Sequence, residues 1–143
     1  MSDPDEKFVV EVLQPDGRRI PGEIRIWEEA PRSAENVLVE LSFEGGDHSE
    51  DGHDNFFDAL VAIRERLEMQ GLLLVCNGSS LNVYPSAMSK SMGYGEKAYV
   101  LELGKPALLK ALVSIFKSRP DSVPATVKAQ RAYFEEWLAS LMS

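Results

Sequence analysis

Apolar and polar positions alternate with the period of a β-strand through much of the first third of the chain. Phe8 to Leu13 is mixed apolar and β-branched, and Glu23-Ile-Arg-Ile-Trp27 alternates charged with apolar residues. In Val37-Leu-Val-Glu-Leu-Ser-Phe43, the side chains of Val37, Val39, Leu41 and Phe43 fall on one side. Gln14-Pro-Asp-Gly17 marks a turn, because Pro presets one dihedral and Gly accepts the next. The simplest arrangement of these segments is a three-stranded antiparallel meander with one buried and one wet face.

The stretch Gly45 to Asp54 is polar and reads as a loop. After it the period changes: Phe56, Leu60, Ile63 and Leu67 recur at helical spacing. Asp54 or Asn55 can cap the start and Gly71 can stop the end, which predicts a helix over residues 55–70. Leu72-Leu-Leu-Val-Cys76 is short and wholly apolar, as expected of a strand in the middle of a sheet. Periodicity is lost over residues 77–96 and returns as a predicted strand from Lys97 to Leu103. Pro106 opens a predicted helix through Phe116, with Leu108, Leu109, Leu112, Val113 and Phe116 inward. Arg119 to Pro124 is a break, and a last helix is expected from Pro124 to Met142 with Val127, Phe134, Trp137, Leu138 and Leu141 on one stripe. The expected fold is a single α+β domain over residues 1–143, with an antiparallel or mixed sheet of about five strands and three main helices. Its element order is β-β-β-α-β-loop-β-α-α.

Composition narrows the classes of partner. Apolar residues make up 44% and charged residues 27% of the 143, enough for a real core in one domain. Asp and Glu outnumber Lys and Arg by 23 to 15, a formal charge of −8. Surplus negative charge repels phosphate backbones, disfavouring nucleic acid, and suits a basic protein partner; it also simply keeps a domain soluble. Cys76 is the one cysteine, so no internal disulfide forms, as in a reducing cytoplasm. The acidic start Met1 to Lys7 lacks the basic and apolar regions of a secretory signal, and the apolar runs are too short to span a bilayer. The expected location is the cytoplasm, with no membrane association.

Two places could carry chemistry. Asp47, Ser49, Asp51, Gly52, Asn55 and Asp58 occupy positions 1, 3, 5, 6, 9 and 12 of an EF-hand-like register. Against calcium, the last position is Asp rather than a bidentate Glu, Asp54 stands where an apolar residue belongs, and a strand precedes the loop. His48 and His53 fit no zinc spacing. No metal or cofactor is therefore assigned, and the expected role of the loop is to cap a helix.

The second place is Cys76 to Gly95, about twenty residues without period, a length that in a compact domain is usually functional or disordered. Leu81, Val83, Tyr84, Met88, Met92 and Tyr94 supply too many apolar contacts for disorder, and Tyr and Met favour contact surfaces. Packing of the segment onto its own sheet is the alternative. Ser86 can cap one helical turn that brings Met88 and Met92 together. The candidate partner-binding residues are Asn77, Asn82, Tyr84, Met88, Met92 and Tyr94, with Asp47, Glu50, Asp51 and Asp54 as a charged rim. No catalytic set stands out: Cys76 ends an apolar run, no Gly-x-Ser-x-Gly elbow surrounds a serine, and Gly93-Tyr-Gly95-Glu-Lys97 lacks the ending of a phosphate loop.

Asn82-Val-Tyr-Pro-Ser86, Met88, Met92-Gly-x-Gly95 and Ala98-Tyr99, with the helix Phe57 to Leu67 and Gly104-Lys-Pro before Leu-Val-x-Ile-Phe116, resemble a family of small uncharacterised bacterial proteins. The resemblance covers residues 54–142. It implies an immunity or accessory partner in a bacterial toxin locus and brings no catalytic residues with it. The leading expectation is a module that binds and blocks a partner protein. The alternatives are a small hydrolase or transferase using Cys76 or a loop serine, and a domain that self-associates through Trp27 or an unpaired edge strand, with a homodimer as the simplest form.

Overall fold

The computed structural model describes residues 2–142. The α+β class holds, and the N-terminal meander has four strands rather than three. β1 (Glu6–Leu13), β2 (Arg19–Trp27), β3 (Val37–Phe43) and β4 (Gly46–His53) pair antiparallel in sequence order. The first turn closes with Gly17 N–H on the Gln14 carbonyl at 2.9 Å, and Gly17 takes a positive φ of 89° that few other residues tolerate. Alternation then sorts the side chains: Phe8, Val10, Val12, Ile24, Ile26, Val37, Val39 and Leu41 are buried on one face. The opposite face is wet, with Arg25 bridging Glu23 at 3.0 Å and Glu40 at 3.3 Å.

α1 (Phe56–Glu68) lies on the buried face. Asn55 caps it by accepting the Asp58 N–H at 2.9 Å, and Gly71 ends it at φ 76°. β5 (Leu73–Val75) pairs with β1 and lies at the sheet edge in the order β4-β3-β2-β1-β5, not in the middle as expected. Leu74 and Val75 are nevertheless buried, Leu74 in the main core, and Ser118 donates to the Val75 carbonyl at 3.3 Å. The polar stretch predicted as a loop is β4. Its half-buried positions hold His48, stacked on Phe43, and Glu50, paired with Arg66 at 3.0 Å, so no apolar period announces it. The self-association expected of Trp27 lacks an exposed ring, because Trp27 is buried with Ala30 and Leu38 and donates to the Ser2 carbonyl at 3.0 Å.

The second half builds a smaller antiparallel sheet from β6 (Val83–Tyr84), β7 (Lys97–Val100) and β8 (Leu112–Ser114), in that order. α2 (Ala87–Ser91) joins β6 to β7, and α3 (Val127–Ser140) closes the chain. The helix expected over 106–116 is absent: a 3-10 turn at Leu109–Ala111 leads into β8. Leu108 and Leu109 are exposed, whereas Ile115 and Phe116 are buried. A strand wins here because it pairs with β7 and turns Val113 toward the core. The expected stripe of α3 is also altered, for Leu138 and Leu141 are exposed and the fully enclosed position is Gln130. One continuous core joins the two sheets, since Val83, Ala98, Ile115 and Phe116 pack with the residues of β1 to β3 and α1.

A polar hub inside that core fixes the two halves together. Arg64 of α1, 1% exposed, donates to the carbonyls of Gly78 at 3.1 Å and Ala125 at 3.0 Å and to Gln130 Oε1 at 2.6 Å. Gln130 Nε2 faces the carbonyls of Gly78, Ser80 and Val83 at 2.8–2.9 Å. Burial holds the guanidinium below its usual range. Gly78 sits at a crossing so tight that a Cβ would stand 2.9 Å from both Ile115 Cβ and Leu60 Cδ2. Replacing Gln130 by Ala takes the side-chain donor from the Ser80 and Val83 carbonyls and the acceptor from an Arg64 N–H, each costing about 1–3 kcal/mol, while the Gly78 carbonyl keeps Arg64. The Gln130→Ala protein should lose about 3 kcal/mol or more in urea denaturation, and a loss under about 1 kcal/mol would show the hub to be dispensable.

Candidate functional site

After β5 the chain dives inward. Asn77–Ser79 form a buried 3-10 turn whose main chain bonds to the segment after β8: Asn77 N–H to the Lys117 carbonyl at 2.7 Å, Gly78 N–H to that of Ile115 at 2.7 Å. Asn77 is therefore internal. Its Nδ2 donates to the Ser114 carbonyl at 2.9 Å and its Oδ1 accepts from Arg119 Nε at 2.8 Å. Asn82 is likewise engaged in holding the small sheet, donating to the Leu101 carbonyl at 3.2 Å. These two residues of the expected binding set serve as ties within the fold.

Three others reach one surface. Tyr84, Tyr99 and Leu112 stand opposite one another in the ladders β6–β7–β8, forming a row across the outer face of the small sheet. The intervening pairs, Val83 with Val100 and Ala98 with Val113, turn inward. Two hollows flank Tyr99. The first, about 250 Å³, is lined by Tyr84, Pro85, Tyr99, Leu101, Phe134 and Trp137 among others. The second, about 260 Å³, is lined by Met88, Met92, Lys97, Tyr99, Leu109 and Leu112, with Ser86 shared between the two.

Local structure explains the placement. Ser86 caps α2 through reciprocal bonds with Ser89, at 2.9 and 3.0 Å, and the single turn sets Met88 and Met92 outward. Met88, Met92 and Leu109 are 69%, 68% and 79% exposed. The Tyr84 ring stacks on Phe134 with centroids 4.2 Å apart, and its hydroxyl accepts from Arg131 at 2.9 Å. Tyr94 points elsewhere, its ring 6.3 Å from Phe56 and half exposed. It is held by three successive left-handed residues, Gly93 at φ 73°, Tyr94 at 59° and Gly95 at 71°, so the turn is locally strained.

Charge is divided between the halves. Residues 1–81 carry 18 Asp and Glu against 7 Lys and Arg, a balance of −11, while residues 82–143 carry 5 against 8, a balance of +3, together −8. Of the expected acidic rim, Asp47, Glu50 and Asp51 belong to β4 of the large sheet and Asp54 follows it. The face itself is bordered by cations: Lys97 lines the second hollow, Lys110 adjoins Leu109, and neither forms an ion pair among the described residues. Lys90 is neutralised by Asp58 at 2.9 Å. The EF-hand register is drawn out along a strand from Asp47, which cannot wrap an ion, and no cluster of three His, Cys, Asp or Glu suited to a metal occurs among the described residues.

Neither Cys76 nor the serines of the loop bond to a base among the described residues. Cys76 is buried, which pushes its thiol up, and its sulfur contacts Ser79 Oγ at 3.5 Å rather than a base. Ser79 and Ser80 donate to main-chain carbonyls, Ser86 and Ser89 cap α2, and Ser91 donates to the Met88 carbonyl. Sequence reasoning missed Tyr99, Leu101, Leu109, Leu112, Phe134 and Trp137 as parts of the face. The alternation in 97–103 displayed Tyr99, but only pairing with β6 and β8 decides which way it points.

Iodoacetamide should label Cys76 of the native chain no faster than the chain unfolds, and labelling at the rate of a free thiol would restore the cysteine as a candidate. Burial, then the charge of Glu6, pushes the Glu96 carboxyl up, so its ionisation costs stability. That cost is absent below the unfolded pKa of about 4.3 and present once pH rises through the raised folded value. Glu96→Gln should therefore raise Tm at neutral pH, with the gain fading in acid; equal gains at both would refute the titration. Compared with known proteins, the chain matches no family model, and no curated protein shows significant similarity to it.

Proposed function

We propose that this chain is a protein-binding module of the immunity type, which holds a partner protein on the outer face of its small sheet. The observation that carries this reading is the half-buried row Tyr84–Tyr99–Leu112 with the exposed Met88, Met92 and Leu109 beside it, an apolar and concave surface. Contiguous exposed apolar surface of this kind marks interaction sites, and thioethers adapt to an incoming shape. Aromatic anchors at its centre are the residues that dominate interface energetics. The sequence resemblance of residues 54–142 to a family of small uncharacterised bacterial proteins, which implies an immunity or accessory role, points the same way. The surplus of carboxylates in residues 1–81 favours encounter with a partner of net positive charge. No helix among the described residues is long and apolar enough to cross a membrane, and we place the protein's action in the cytoplasm, where its thiol stays reduced.

The test is titration calorimetry of the whole chain with the purified protein encoded by the adjoining gene. Binding is expected at nanomolar Kd, about −12 kcal/mol, and should weaken about a hundredfold in a Met88→Glu/Met92→Glu double variant whose thermal melt is unchanged. Absence of binding overturns the immunity reading, and binding untouched by the double variant overturns the face.

A further inference from the structure

We propose that the two hollows beside Tyr99 receive one continuous peptide segment of the partner, bearing two bulky apolar side chains flanked by Asp or Glu. This rests on the partner-binding reading above and adds the chemistry of what is held. Size comes first. Sites for whole small molecules run about 300–1,000 Å³, whereas these two hollows are about 250 and 260 Å³ and share the wall formed by Tyr99 and Ser86. Each falls below that range, and their common wall lets two side chains of one segment sit side by side.

Charge decides the flanks. At physiological salt the Debye length is about 8 Å, so exposed charges further away than that are largely screened and the nearest ones govern a docked segment. Lys97 lines the second hollow, Lys110 is next to Leu109 of that lining in sequence, and neither forms an ion pair among the described residues. Arg131 lies over Tyr84 and Phe134 at 5.8 and 5.7 Å but is already committed to Glu135 and the Tyr84 hydroxyl. A basic segment would meet two unneutralised ammonium groups, and an acidic one would pair with them. A second copy docked by the same face about a two-fold axis would bring together two faces that are both edged with lysine. An anionic bilayer would meet the same lysines, but its flat surface would leave the two hollows unfilled.

The experiment selects a phage-displayed library of random peptides on the whole chain, with counter-selection on the Met88→Glu/Met92→Glu variant. The surviving sequences are expected to carry two aromatic or large aliphatic residues with Asp or Glu beside them. The strongest peptide, synthesised, should bind about tenfold more weakly to a Lys97→Glu/Lys110→Glu variant, and more weakly in high salt. Survivors with neutral or basic flanks, or affinity indifferent to the lysine changes, overturn this inference while leaving the binding face standing. If no sequence survives the counter-selection, both fall. Co-sedimentation with phosphatidylserine vesicles, or dimerisation in the ultracentrifuge that the Met88→Glu/Met92→Glu variant abolishes, would likewise overturn it in favour of a membrane or a second copy.

Discussion

The architecture depends on one buried guanidinium and the amide that faces it. Between β5 and β6 the chain has no ladder on which to spend its carbonyls, yet it runs through the core. Arg64 and Gln130, from α1 and α3, supply donors to Gly78, Ser80, Val83 and Ala125. An arginine without a carboxylate partner is costly to bury, and the cost is offset here because a ring of carbonyl dipoles surrounds the fork. Val83, one of those carbonyls, is the residue before Tyr84. The face thus begins one bond from the hub, and its position is inherited from polar contacts in the interior.

Legibility in the sequence followed the hydrocarbons. β1 to β3 and α1 were readable because Val, Ile and Leu recur with period two or near period four, and the caps Asn55 and Gly71 stood at the ends. β4 was not, because its half-buried positions are filled by His48 and Glu50, whose partners Phe43 and Arg66 lie on other elements. The run 106–116 satisfies both periods, and pairing with β7 selected the strand. For the site, composition pointed to Tyr84, Met88 and Met92, and Ser86 gave the turn that holds the methionines. Asn77 and Asn82 looked the same in the sequence as any loop amide, and only their bonds show the first to be internal and the second to tie the small sheet. Residues remote in sequence, such as Phe134 and Trp137, join the face through the packing of α3, which no local pattern records.

Net charge proves a poor guide to local charge in a small protein. The carboxylates are concentrated in the large-sheet half of the chain, where they also flank β4 and discourage strand addition at that edge. The small sheet, built from the more basic half, presents hydrocarbon edged with lysine. The two sheets share a core yet offer solvent quite different chemistry, so an average over the whole chain describes neither.

The chain's two indoles sit in contrasting surroundings. Trp27 is sealed beneath the N-terminal segment, while Trp137 lines the first hollow, 6.0 Å from Phe134, with its N–H on the Lys105 carbonyl at 2.9 Å. Displacing water from that hollow alters the polarity around one chromophore and leaves the other as an internal standard. The protein thereby carries an optical gauge of occupancy in its own emission spectrum, needing no label.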